Sequence, residues 1–390
     1  MRIFISAGEA SGDAYGAALV REIKRLGGVG AFEGVGSARM KAEGVLLHGD
    51  SSTWGAVSIT QAAKVYGRIW RKFQQIKRIL RTREPGLFIP IDFGFANIRF
   101  ARYAKKCGWK VLYFVPPGSW RRDKQGADMP VLADEIVTPF EWSAEILKGM
   151  GASVHWFGHP IKQLLKERNA EVSAEKRTVA VLPGSRKHEL ELNLPLIAHA
   201  VRAQEGSWNG ENLPGISHER FSVAGEKFEG QLEFALAPSL DADDIRHRWE
   251  LLAPGRNDIF TVGDTYGVLS RAKAGIVCSG TATLEAALCR CPMVVVYQIS
   301  AAMRFEAKLI RFKRPKFIAL PNILLDREVV PELVEAYGVS PWVLRTWLDR
   351  VVSDEDYRRG QLEAFEEIDK ILGNDDAITQ TAKLVLSLAT

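Results

Sequence analysis

The sequence predicts an α/β protein of two domains, each built on a parallel sheet, and three observations carry this reading. The chain has 390 residues, more than one hydrophobic core usually serves, so two domains of roughly 150 to 200 residues are expected. Short apolar runs rich in β-branched and aromatic residues recur, each leading through a turn into a helix-length segment, the pattern of parallel βα units. That pattern restarts at Thr178 after the charged stretch Lys166 to Arg177, which is the expected linker.

Taken in order, Arg2 to Ser6, Leu87 to Ile91 and Lys110 to Phe114 are strand candidates of the first domain, residues 1–170. Thr178 to Leu182, Leu232 to Ala237, Ile259 to Val262, Ala274 to Cys278 and Met293 to Gln298 are those of the second, residues 171–365. The segment Glu205 to Gly230 is polar, glycine-rich and without periodicity, so it reads as an elaborated loop. From Asp354 the pattern is helical, and residues 366–390 are expected to form a helix that packs back toward the first domain.

Composition excludes several classes. Apolar residues make up 46% and charged residues 25%, an ordinary balance that leaves no large fraction for disorder. No run of about 18 apolar residues is present, so no bilayer-spanning helix is expected. Met1 to Ser6 enter a glycine turn without a secretory pattern, and the four cysteines, read as free reduced thiols, make the cytoplasm the expected compartment. Cys107, Cys278, Cys289 and Cys291 fit neither a disulfide framework nor a zinc site, and the histidines lack ligand spacing, so no metal is expected. A net charge of +5 is mild for this length and base-stacking modules are missing, so nucleic acid is not an expected partner.

Chemistry concentrates where strands end. The first strand runs into Ser6-Ala7-Gly8-Glu9-Ala10-Ser11-Gly12-Asp13, small residues that let a ligand approach backbone amides at a helix start. A tight turn capped by Ser11 or Asp13 explains the same residues. Asp92 closes the strand Leu87 to Ile91 and is the candidate general base, or else a cap of the following helix. His159-Pro160 reads as a rigid turn.

In the second domain, Pro183-Gly184-Ser185-Arg186 sets a guanidinium beside a glycine turn, where it can grip a diphosphate or simply be solvated. Ser279-Gly280-Thr281-Ala282-Thr283-Leu284-Glu285 is a hydroxyl-rich helix start that attracts anionic oxygen, or an ordinary N-cap. Open α/β sheets bind ligands at the carboxyl ends of their strands, so a cleft between two such rims would hold a nucleotide sugar.

Ala62 to Leu80 shows an apolar stripe at helical spacing with Lys64, Arg68, Arg71, Lys72, Lys77 and Arg78 elsewhere. A helix on an anionic membrane surface would look like this, with Val65, Tyr66, Ile69, Trp70 and Phe73 facing the lipid, as would a packed helix with a solvated basic face. Arg304 to Lys316 is a second basic, aromatic stretch.

Several stretches follow one another in a specific series. They are Ala7 to Asp13, Ala38-Arg39-Met40 with Glu43-Gly44, Ile91-Asp92 with Asn97, and Gly158-His159-Pro160. Then come Leu182 to Arg186 with Glu189 and Pro195, Ser279 to Glu285, and Pro321-Asn322 with Arg327 to Glu332. In this order they resemble the lipid A disaccharide synthase family along most of the chain.

The resemblance implies a GT-B fold of two Rossmann-like domains facing across a cleft, at the inner face of the cytoplasmic membrane. It implies transfer of 2,3-diacylglucosamine from UDP to 2,3-diacylglucosamine 1-phosphate with inversion, and no cofactor beyond the UDP-sugar substrate itself. Asp92 and Glu9 would be catalytic. Gly8, Ser11, Gly12 and Asp13 would shape the sugar and acceptor side. Gly184, Ser185, Arg186, Ser279, Gly280, Thr281, Thr283 and Asn322 would bind the donor, with Glu285 holding its ribose. A homodimer is left open.

Departures cluster on the acceptor side. Phe95 stands where the family commonly has an aspartate, the tryptophan-rich stretch is shortened to Ser119-Trp120-Arg121-Arg122, and Gln163 replaces an acidic residue. The alternatives are a UDP-sugar transferase with another acceptor, a UDP-N-acetylglucosamine 2-epimerase-like isomerase, and a nucleotide-binding scaffold without activity.

Overall fold

The computed structural model describes residues 2–51, 59–123, 125–168, 178–202, 230–298, 315–334 and 339–388; for 59–69 and 95 it describes the backbone alone. Val65, Tyr66 and Ile69, the loop 205–229 and most of Arg304 to Lys316 therefore lie outside the described side chains. The chain divides into two compact units, Met1–Glu167 with Ile371–Thr390, and Arg168–Lys370.

Unit 1 alternates strand and helix: β1 (Arg2–Ala7), α1 (Ala10–Arg25), β2 (Ala31–Gly36), α2 (Ala38–Ala42), β3 (Leu46–Asp50), α3 (Ile59–Thr82), β4 (Leu87–Ile91), α4 (Gly94–Lys106) and β5 (Lys110–Phe114). It continues with α5 (Met129–Leu132), β6 (Glu135–Val137), α6 (Glu141–Gly149), β7 (Val154–His155) and α7 (Pro160–Glu167). The strands form a parallel seven-stranded sheet in the order β3-β2-β1-β4-β5-β6-β7. β1 and β4 are apolar and buried on both faces, as central parallel strands must be. Pro90 cannot donate to the ladder, yet the β4 to β5 register is the same at Leu87↔Lys110 and at Ile91↔Phe114, just before Asp92.

Unit 2 repeats the scheme with β8 (Thr178–Leu182), α8 (Lys187–Arg202), β9 (Leu232–Leu236), α9 (Ala242–Leu252), β10 (Ile259–Val262), α10 (Thr265–Arg271), β11 (Ala272–Cys278) and α11 (Thr281–Leu288). Then follow β12 (Met293–Tyr297), α12 (Leu320–Leu325), β13 (Glu332–Val334), α13 (Pro341–Ser353) and α14 (Glu355–Ile371). Its parallel six-stranded sheet runs β10-β9-β8-β11-β12-β13. α15 (Ala377–Leu388) closes the chain and belongs to unit 1.

Gln163 explains how α15 is held. Its side-chain oxygen accepts the Ile378 and Thr379 amides at 2.8 and 3.0 Å, while its NH₂ donates to Thr379 Oγ1 at 2.9 Å. The departure from an acidic residue at this position is thus a helix-start contact.

Both sheets reverse strand order once, between β1 and β4 in unit 1 and between β8 and β11 in unit 2. At such a point the two following loops part and open a crevice at the carboxyl ends of the strands. Those loops carry Gly8-Glu9 and Asp92-Phe93 in unit 1, and Gly184 to Arg186 and Ser279-Gly280 in unit 2.

α3 gives a correction. Ile76 and Leu80 are fully buried, and Phe73 stacks on Phe100 of α4 with ring centroids 4.3 Å apart. Phe73 therefore faces the unit 1 core and not a lipid surface, because it shares the inward stripe with Ile76 and Leu80. Trp70, 51% exposed, keeps an outward position. Among the described residues no helix is long and apolar enough to cross a membrane.

Candidate functional site

The unit 1 crevice is built around a strained elbow. Asp92 and Phe93 both adopt the left-handed conformation, with φ of 46° and 49°. Such a backbone costs about 1–2 kcal/mol per residue, least for Asp and more for Phe, and persists only where the surroundings over-determine it. Here the fully buried Asn97 does so, donating to the carbonyls of Ser6, Ile91 and Asp92 at 2.8, 2.9 and 2.9 Å and accepting from Ser6 Oγ at 2.6 Å. Tyr113 adds a bond from its hydroxyl to the Asp92 carbonyl at 3.1 Å.

Gly8 is required beneath this elbow, since any Cβ there would overlap the Phe93 ring. Gly12 lies against Ala7 and Ile91, where a Cβ would sit 3.4 Å from the Ala7 Cβ. Gly8 is thus what lets the two turns pack together, whereas a Cβ at Gly12 would make only ordinary contact. Glu9 is the exposed N-cap residue of α1, with Ser11 half-buried in the first turn beyond it.

Burial pushes the Asp92 carboxyl up to about 6, the negative charge of Glu9 adds to this, and a hydrogen bond from the Phe93 amide opposes it. The same environment, with the Asp92 charge, holds the Tyr113 phenol well above its ordinary value. A carboxylate so placed at a strand's carboxyl end is suited to take a proton near neutral pH.

Asp13 has a different task. Its buried carboxylate accepts the amides of Ser37, Arg39 and Met40 at 2.6, 3.0 and 3.3 Å, which anchors the start of α2. The reading of Asp13 as a substrate ligand gives way to that structural role. His159 is a buried, neutral imidazole packed on Phe140 and Tyr15, driven down to about 3 by burial, with Nδ1 accepting the Ile161 amide at 3.2 Å. It is a packed side chain as well as a turn.

In unit 2, Gly184 has φ of 115° and a Cβ there would come within 2.5 Å of Glu189. Glu189 Oε2 accepts the amides of Ser185 and Arg186 at 2.8 and 3.2 Å, and Oε1 accepts from Arg186 Nη1 at 3.2 Å. This is a capping arrangement at the start of α8. The Ser185 amide is thus taken by Glu189, so Gly184 and Ser185 shape the turn while the Arg186 side chain is left as the candidate diphosphate ligand.

The Arg186 guanidinium is half-buried and pairs with Glu189. Its charge and that of Glu189 both reach Cys278 and Tyr297, at the ends of β11 and β12. Arg186 and the turn beginning at Ser279 therefore share one rim. Cys278 is itself pushed up to about 12, chiefly by burial, and is an inert thiol there.

Ser279 Oγ donates to the Ile318 carbonyl at 2.9 Å, and Gly280, exposed with φ of 143°, has a backbone only glycine adopts readily. Gly280 is the N-cap residue of α11 and makes no side-chain cap, which leaves the dipole end of Thr281 and Ala282 toward the rim. Glu285, one turn on, accepts from the Tyr266 hydroxyl at 3.1 Å.

Two expected donor ligands are structural. Thr283 is fully buried, donating to the Gly280 carbonyl at 2.8 Å and accepting the Leu320 amide at 3.2 Å. Asn322, also buried, donates to Val330 O and Glu332 and accepts the Val329 and Val330 amides, so its amide group is filled by its own unit. Tyr266 was missed at the sequence level because nothing local ties it to Glu285.

A family model described as lipid-A-disaccharide synthetase matches residues 3–338. The chain is 30% identical over 400 residues to the lipid-A-disaccharide synthase of Geobacter metallireducens, covering 99% of this chain and 97% of that one. It is 32% identical over 372 residues to that of Acidobacterium capsulatum, covering 90% and 87%.

Among solved structures it is similar to an S. aureus MnaA–UDP co-structure, with TM-score 0.58 at 13% identity and 99% and 97% coverage. It is also similar to Acinetobacter baumannii MurG, with TM-score 0.53 at 11% identity and 99% coverage of both chains. At such identities the likeness is one of fold, and the fold is GT-B.

Proposed function

The chain belongs to the lipid-A-disaccharide synthase family, a glycosyltransferase family using a UDP-sugar and a lipid-linked acceptor, and on that premise we propose that it moves 2,3-diacylglucosamine from UDP to 2,3-diacylglucosamine 1-phosphate with inversion. The observation that carries the mechanism is Asp92, a carboxylate raised to about 6 on an over-determined elbow at the unit 1 switch point.

Asp92 takes the proton of the acceptor hydroxyl as its oxygen bonds the anomeric carbon from the face opposite the diphosphate. The bond from that carbon to the diphosphate oxygen breaks at the same time and UDP departs. Arg186 and the amides opening α11 meet the negative charge that builds on the leaving group. Glu285, braced by Tyr266, holds the ribose. With the charge met this way the transfer runs without a metal, and activity persists in excess chelator.

The basic residues of α3 and the exposed Trp70 support docking on the anionic inner face of the membrane, where both acylated substrates reside. Vesicles containing anionic lipid should bind the protein more strongly than zwitterionic ones. The central test is incubation with both acylated sugars and mass spectrometry of the products. Absence of the disaccharide 1-phosphate with parent protein would sink this reading, and conversion of UDP-N-acetylglucosamine without acceptor would favour an isomerase.

A further inference from the structure

We propose that Arg122 grips the phosphate of the acceptor and so makes this chain select a phosphorylated sugar; the inference rests on the function proposed above. The loop after β5 is tied down at several of its described residues. Its first residue, Val115, accepts the Asp92 amide through its carbonyl at 3.1 Å. Pro117 lies against Gly94, whose Cβ position is 3.0 Å from the Pro117 Cβ. The loop therefore starts in contact with the catalytic elbow.

It then folds back through two tight turns, Ser119 amide to Pro116 carbonyl at 3.3 Å and Arg121 amide to Gly118 carbonyl at 2.9 Å. Trp142 Nε1 donates to the Ser119 carbonyl at 3.2 Å, and the buried Gln125 donates to the Arg121 carbonyl while accepting from Ser143 Oγ at 3.0 Å. Neither end of the loop is left to solvent alone.

On this frame the Arg122 guanidinium sits 4.3 Å from the Trp142 ring centroid. Trp142 in turn stacks on Phe140 at 4.5 Å and 10°, and Phe140 packs on the buried His159 at 5.4 Å. A guanidinium seated on an anchored aromatic ring is pre-organised, and its planar fork suits phosphate better than a lysine does. Arg121, its neighbour, is bonded to Asp123 at 2.7 Å.

Position and charge agree with this assignment. Phe140 and Trp142 follow β6, two strands from β4, roughly 10 Å across the sheet from Asp92. A sugar ring plus an arginine side chain can bridge that separation. On the other side of Asp92 stands Glu9, which would repel a phosphate. An acceptor with its hydroxyl at Asp92 is thereby oriented with its phosphate toward Arg122.

The test compares 2,3-diacylglucosamine 1-phosphate with the same lipid lacking phosphate, on parent, Arg122→Ala, Arg122→Lys and Arg121→Ala. Arg122→Ala should lower kcat/KM for the phosphorylated acceptor roughly 10- to 100-fold, mostly through KM, with little change for the other lipid or the donor. Arg122→Lys should recover only part of this, and Arg121→Ala should match parent.

Equal losses on both acceptors, no loss on either, or a parent indifferent to the phosphate would overturn the proposal. If parent makes no disaccharide at all, the proposed function fails separately. Micelle binding of the phosphorylated lipid then decides on Arg122: weaker binding by Arg122→Ala supports the assignment, and unchanged binding overturns it.

Discussion

Replacing Asp92 by Asn should make the protein more stable and nearly inactive, with the stability gain depending on pH. The folded state raises this carboxyl from 3.8 to about 6. Its folded value exceeds its unfolded one, so between those limits the folded state binds the extra proton and stability falls as pH rises. Each tenfold change in proton affinity is worth about 1.4 kcal/mol, so above about pH 7 the ionised carboxylate costs up to ~3 kcal/mol. Asn carries no charge and tolerates the φ of 46° that Asp92 adopts.

The variant should therefore exceed parent stability by about 1–3 kcal/mol at pH 8 and lose that advantage by about pH 4. Urea unfolding of both proteins at about pH 8, 6 and 4.5 measures the difference. Transfer should drop by about 10²- to 10⁴-fold, and parent kcat/KM should fall as pH drops through about 6. A variant less stable than parent at pH 8, or a gain that does not shrink on acidification, would refute the assignment of burial and charge at Asp92.

Glu9→Gln removes the negative neighbour of Asp92, so the acid limb of the parent pH–rate profile should move to lower pH while the fold is kept. Gly8→Ala forces a Cβ into the Phe93 ring, and thermal unfolding should show about 1–3 kcal/mol of destabilisation together with loss of turnover. Arg186→Ala should raise the donor KM and weaken UDP binding in calorimetry by about 10-fold or more, with the unit 2 core intact because the side chain sits at the rim. Unchanged UDP affinity would remove Arg186 from the donor site.

The layers of this protein and the places where its chemistry sits are legible in the residue pattern alone. Alternating apolar runs and helix-length segments specify parallel βα units, and glycine or acidic residues right after strands β1, β4, β8 and β11 mark the ends at which such sheets bind ligands. Short strands such as β6, β7 and β13 carry too few residues for a pattern and exist because a neighbour offers an edge.

The use of each polar side chain was decided by tertiary structure. Asp13 and Asn322 look like ligands in a string of residues, yet each is filled by amides brought to it by the fold. Phe73 turned inward because α4 supplied Phe100, and Asp92 gained its proton affinity from burial and from Glu9 far along the chain. Local sequence sets backbone preference and burial pattern, whereas hydrogen-bond partners and the field at a carboxylate depend on which distant atoms come within a few ångströms.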